Sequence, residues 1–206
     1  MARWEPDGRS RLERAALELY GEHGFEHTTV AEIASRAGLT ERTFFRHFAD
    51  KREVLFSGAG ALQELIETAV ADAPASATPM EAVAAALDVV GAMFETRRTF
   101  SQRRQAIIMA SAELRERELI KLAALSAALA EALRRRGVGE PAASLCAEVG
   151  IAVFRIGFER WVEPSNTRDL APLMRESLDE LKAVTATAPS SPSPSPSPSP
   201  SHSPSL

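Results

Sequence analysis

The stretch from Thr29 to Phe48 admits few folds. Thr29-Val-Ala-Glu32 has the form of a capping box, in which the threonine hydroxyl and the glutamate carboxylate each satisfy a free amide at a helix start. Val30, Ile33, Ala34 and Ala37 follow at helical spacing and stop at Gly38, a residue suited to the left-handed conformation that closes a helix. Thr40 is a second N-cap, for a helix running through Phe48. Two short capped helices meeting at the tight turn Ala37-Gly38-Leu39 read as a helix-turn-helix unit.

The surroundings are helical as well. Leu12, Ala15, Ala16, Leu19 and Tyr20 mark one face of a preceding helix that stops near His23, before Gly24. Asp50-Lys-Arg-Glu53 offers a further capping box, and the expectation is that it opens a long fourth helix with Leu55, Leu62, Leu65, Ile66 and Ala69 on one face. After Ala71 the segment DAPASATP interrupts the pattern. Further helices are expected at about 80–96, 99–110, 112–136, 141–163 and 168–185, each good to a few residues. No segment alternates like a strand. From Pro189 the chain becomes a Ser-Pro repeat with nothing to bury, expected to be an extended, disordered tail. The expected organisation is all-α: a helix-turn-helix domain over 8–66 with its motif at 29–48, a second helical domain over 67–187, and a tail over 188–206.

Composition narrows the setting. The 206 residues are 45% hydrophobic and carry one cysteine, Cys146, which excludes an intramolecular disulfide and suits a reducing, cytoplasmic location. No apolar run suits a signal peptide or a membrane span, so no membrane partner is expected. The net charge of −4 runs against nucleic acid as a partner, but its distribution does not. Between Arg36 and Arg52 five cations (Arg36, Arg42, Arg46, Lys51, Arg52) face two acids, Glu41 and Asp50, with His47 beside them.

In a helix-turn-helix the second helix enters the major groove with its N-terminal residues toward the base edges. Here those residues are Thr40, Glu41, Arg42 and Thr43, and Arg42 has the planar fork that grips a guanine. Thr29 and Thr40 sit at helix starts, where hydroxyls and free amides suit phosphate oxygens. Arg46, His47 and Lys51 are placed to clamp the backbone, while Phe44 and Phe48 pack inward against Ile33 and Leu19. Singly, each has a plainer reading as a cap or a solvated charge. Jointly, the run AALELYGEHGFEHTTV, AEIASRAGLT and TFFRHFADKREVL resembles the N-terminal domain of the TetR family of bacterial repressors. That resemblance implies base or phosphate contacts from Glu41, Arg42 and Thr43, and phosphate contacts from Thr29, His47 and Lys51. Phe45 stands where the family often has a tyrosine, so van der Waals contact or packing is what remains to it.

The block from Asp72 to Ala186 has no phosphate-binding glycine loop, no metal-ligand cluster and no histidine, so no histidine-based catalytic site and no metal or cofactor site is expected, paired carboxylates being the alternative left open. The resemblance implies a ligand-binding and dimerisation domain there. Met93, Phe94, Phe100, Ile107, Ile108, Met109, Phe154 and Phe158 are candidate cavity walls for an unidentified small-molecule effector. Arg97, Arg98, Arg103 and Arg104 lie beside them, able to hold an anionic group. Leu145, Val149 and Val153 on one helix, and Leu173 and Leu178 on the last, are the expected homodimer interface, with a role in the domain's own core as the competing reading. Cys146 reads as an inert small hydrophobe and Trp161 as a packing anchor. The function expected is a repressor released from a palindromic operator by a ligand. A regulator without a ligand, or a helical enzyme or carrier that has kept a helix-turn-helix, are the alternatives.

Overall fold

The computed structural model describes residues 7–186, so the Ser-Pro tail lies outside the described residues. The described chain is helical from end to end: α1 (Gly8–His23), α2 (Val30–Arg36), α3 (Glu41–His47), α4 (Ala59–Asp72), α5 (Pro79–Phe94), α6 (Arg98–Ala110), α7 (Ala112–Arg135), α8 (Ala142–Val162) and α9 (Leu170–Ala186). Among the described residues no helix is long and apolar enough to cross a membrane.

Cap chemistry sets the first three helices. The Asp7 carboxylate accepts the Ser10 amide at the start of α1, and Gly24 closes it at φ 83°. Thr29 and Glu32 form the reciprocal box on α2, with the Thr29 amide donating to Glu32 Oε2 at 2.8 Å. At the other end of α2 the amide of Leu39 reaches back to the Ala34 carbonyl and that of Gly38 to Ser35, a Schellman closure. Gly38 takes φ 65°, and a Cβ there would stand 2.8 Å from the Arg11 guanidinium, which itself donates to the Ala37 carbonyl. Thr40 caps α3 through the Thr43 amide.

The expected fourth helix is broken. Asp50 accepts the amides of Arg52 and Glu53 as a cap should, but the Glu53 carboxylate does not complete the box. It is drawn to Arg117 and Lys121 on α7. Glu53–Phe56 then form a single 3-10 turn, and α4 starts only after Ser57-Gly58, where poor helix formers favour a break.

Two cores result. The first gathers Leu12, Ala16, Leu19, Tyr20, Ile33, Phe44, Phe48 and Val54–Phe56. The second is built from α4, α5, α7, α8 and α9, around Val70, Val83, Val90, Leu133 and Trp161. Burial passes from one to the other between Phe56 and Leu62, a few residues ahead of the expected boundary at 66. The second core is tight where helices cross on glycine: a Cβ on Gly91 would lie 2.6 Å from Ala171 Cβ, and one on Gly157 2.7 Å from Met174 Cγ.

α6 belongs to both. Ile107 and Ile108 at its end, with Leu114 at the start of α7, are buried in the first core. The expectation that Ile107 and Ile108 line a cavity is therefore corrected: they plug the underside of the helix-turn-helix domain.

Candidate nucleic-acid interface and ligand cavity

α3 is held by its buried side. Phe44 is fully buried and stacks with Phe48 at 5.5 Å between ring centroids. Burial of a side chain of that size contributes about 1.5–3 kcal/mol, which fixes the angle of the helix. The opposite side, Glu41, Arg42, Phe45, Arg46 and His47, is exposed. Phe45 is 56% exposed although its ring rests edge-on against Phe44, so the phenyl is presented outward and is not a packing residue.

The basic window sorts into free and engaged groups. Arg36 is paired with Glu22 and Glu18, and Arg52 with Asp50 and Glu113. Lys51 donates to the carbonyls of Phe25, Glu26 and Thr28 and sits over the Phe25 ring. Its ammonium ties down the loop ahead of α2. Arg42 and Arg46 make no ion pair or hydrogen bond among the described residues, and both lie on α3. The hydroxyls of Thr29 and Thr40 serve as caps, and Thr43 Oγ1 lies 3.0 Å from Thr40 Oγ1. Thr29 and Thr40 remain exposed at their helix starts.

A cavity of about 1060 Å³ opens between the two domains. Its apolar wall includes Leu62, Met93, Phe94, Leu125, Phe154 and Phe158, backed by Trp161, whose ring centroid lies 5.7 Å from that of Phe158. Of the eight expected wall residues Met93, Phe94, Phe100, Phe154 and Phe158 come together there, with Arg97, Arg103 and Arg104 beside them; Ile107 and Ile108 lie in the first core and Met109 is exposed. Arg98 does not line the cavity. It clamps the α8–α9 connection by donating to the Trp161 and Asn166 carbonyls. Arg104 is a strut, bonded to the Leu55 carbonyl at 2.7 Å and to Glu118 at 3.1 Å. Burial lowers the Arg104 pKa and Glu118 partly restores it, but a guanidinium starts so high that it stays charged. Gln105, also in the wall, carries a buried side-chain oxygen without a hydrogen-bond partner among the described residues, a state costing about 1–3 kcal/mol unless a bound molecule supplies a donor.

The expected dimer residues divide. Leu145 is exposed and Val149 half-buried on α8, but Val153, Leu173 and Leu178 are buried inside the protomer's own core. For these three the competing core reading holds. The apolar residues left outside on α8 and α9 are Leu145, Ile156 and Val184.

Two family profiles match the chain: "Bacterial regulatory proteins, tetR family" over residues 13–57, and the MftR C-terminal domain over residues 77–186, more than half of the sequence. The chain belongs to the TetR family of bacterial regulatory proteins. It is 43% identical over 82 residues to the HTH-type transcriptional regulator TcmR of Streptomyces glaucescens, a match covering 40% of this chain and 36% of that one. The chain thus spans about a third of the length of that relative. Among solved structures, FadR of Thermus thermophilus, a TetR-family transcriptional repressor in complex with lauroyl-CoA, is 26% identical with a TM-score of 0.55, covering 91% of this chain and 100% of the other. FadR of Bacillus subtilis in complex with stearoyl-CoA shares the fold at 22% identity and a TM-score of 0.56, covering 84% and 96%.

For a TetR-family chain the motif residues were legible, but the cavity's share of α1 was not. Arg9, Glu13, Arg14 and Leu17 line it from the helix-turn-helix domain. Helical periodicity says which face of α1 is polar and gives no sign that α6 and α7 roof it.

Proposed function

We propose that this TetR-family regulator is a repressor that binds a palindromic operator as a homodimer and is released by a small molecule in the interdomain cavity. The observation carrying the proposal is that Arg42 and Arg46 project, unpaired among the described residues, from an α3 whose other face is locked by Phe44 and Phe48. Arg42 reads base edges with Glu41 and Thr43 near it. Arg46, His47 and the helix starts at Thr29 and Thr40 meet phosphates. Phe45 contacts the groove through van der Waals surface.

Two half-sites about 34–36 Å apart require two recognition helices. The exposed apolar groups Leu145, Ile156 and Val184, with the half-buried Val149, are the surface for a second copy, in place of the buried residues first expected. The cavity supports an effector, and the two FadR proteins solved with acyl-CoA place long-chain ligands among the first to try. α6 connects the events: Thr99, Arg103 and Gln105 on it line the cavity, and two residues past Gln105 the side chain of Ile107 enters the first core. A ligand that binds better to one setting of α6 shifts the spacing of the recognition helices, and does so only by its difference in affinity for the two settings.

Selection of bound fragments from random duplex DNA, followed by sequencing, tests the proposal. An enriched inverted repeat is the expected result. Background enrichment alone, with folded protein, would falsify it.

A further inference from the structure

Most charges around the cavity cancel in place. Arg9 pairs with Glu13, Arg104 with Glu118, Arg155 with Glu159, and Lys121 with Glu53, while Glu18 is held by Arg36. The lining groups without an ion pair or hydrogen bond among the described residues are Arg14, Arg97 and Arg103, against the single acid Glu64. The first comes from α1 of the helix-turn-helix domain, Arg97 immediately precedes α6, and Arg103 is on it. The remainder is a positive excess of two charges, all of it exposed, over a wall of Leu62, Met93, Phe94, Phe154 and Phe158.

We infer that the effector is an amphipathic anion, an apolar chain ending in a carboxylate or phosphate, whose head is held by Arg14 of one domain and Arg97 and Arg103 of the other. This rests on reading the cavity as the effector site. Guanidinium groups match carboxylate and phosphate oxygens with paired N–H donors, while the chain is taken up by apolar surface. Because the head is gripped from both domains, its charge acts on their separation and not only on occupancy.

The test titrates the full-length protein by calorimetry with decanoate, decyl phosphate, decanol and decyltrimethylammonium, each below its micellar concentration. The anions are expected to bind at least about tenfold tighter than the alcohol and the cation, a gap narrowed by salt. A preference between the two anions identifies the head group. R14A/R103A lowers anion affinity by about tenfold and leaves decanol unchanged, and R103E moves the preference toward the ammonium. Both variants replace exposed, unpartnered side chains, so unaltered melting curves are expected. Equal binding of all four compounds, or equal weakening of all by the variants, overturns the anionic head and leaves the cavity reading standing. Binding of none up to the solubility limit of decanol and millimolar concentrations of the three ionic probes overturns both, with DNA reading decided separately by the selection experiment.

Discussion

Lys51 Nζ lies 2.9 Å from the carbonyl oxygen of Phe25 and 4.4 Å from the centroid of its ring. A cation so enclosed is a structural tie, although its position beside the recognition helix suggests a phosphate clamp. Lys51→Ala leaves three carbonyls without their donor. It is expected to lower stability by about 1–3 kcal/mol, seen as a reduced melting temperature, with the salt slope of DNA binding unchanged. Arg46→Ala is expected to do the reverse, reducing that slope by about one unit at constant melting temperature. A Lys51 variant of native stability and reduced slope would refute the assignment.

Arg42→Ala is expected to relax base discrimination at one position of each half-site, at a cost of about 1–3 kcal/mol for the preferred base. Competition between the selected sequence and its single-base variants measures it. Uniform weakening across all bases would show that Arg42 meets only phosphate.

The Glu53 carboxyl is pushed up by burial, but hydrogen bonds from Lys121 and Arg117 outweigh this and hold it below the ordinary glutamate range. A carboxylate with a depressed folded-state pKa contributes stability above the unfolded value of about 4.5, and that contribution disappears as pH falls through the folded value. Glu53→Gln is therefore expected to be less stable than the native protein at neutral pH, with the difference shrinking below about pH 4.5. Denaturant titrations at several pH values check this, and a constant difference across the range contradicts it.

Glycines at two positions should respond with opposite signs. A Cβ on Gly91 meets the Ala171 backbone at 2.9 Å, so Gly91→Ala forces α5 from α9 and costs about 1–3 kcal/mol. Gly60, in the first turn of α4, has nothing within 4 Å of its added Cβ and no left-handed φ, so Gly60→Ala stabilises by up to about 1 kcal/mol. Matched urea titrations of the two variants decide both.

What the sequence could say followed from the range of the interactions involved. The caps at Thr29 and Thr40 were legible because the partner of each lies three residues away. The break after Asp50 was not, because Glu53 takes partners 64 and 68 residues on. Periodicity marked Ile108, Val153, Leu173 and Leu178 as buried, but a helical stripe does not name its neighbour. Ile108 entered the other core, and the remaining three stayed within the protomer. Likewise Arg98 and Arg104 were indistinguishable from Arg97 and Arg103 until the carbonyls of Trp161, Asn166 and Leu55 came within reach of the first pair.

With Ile107, Ile108 and Leu114 in the first core, that core is discontinuous in the chain. Expressing the amino-terminal residues alone would uncover the base of the reading head, and expressing the remainder would leave three apolar side chains in water. The same holds for hybrid regulators: a head transplanted from a relative must bring, or find waiting, a matching set at these three positions. Compatibility at that seam, more than any linker, sets which heads this second domain can carry.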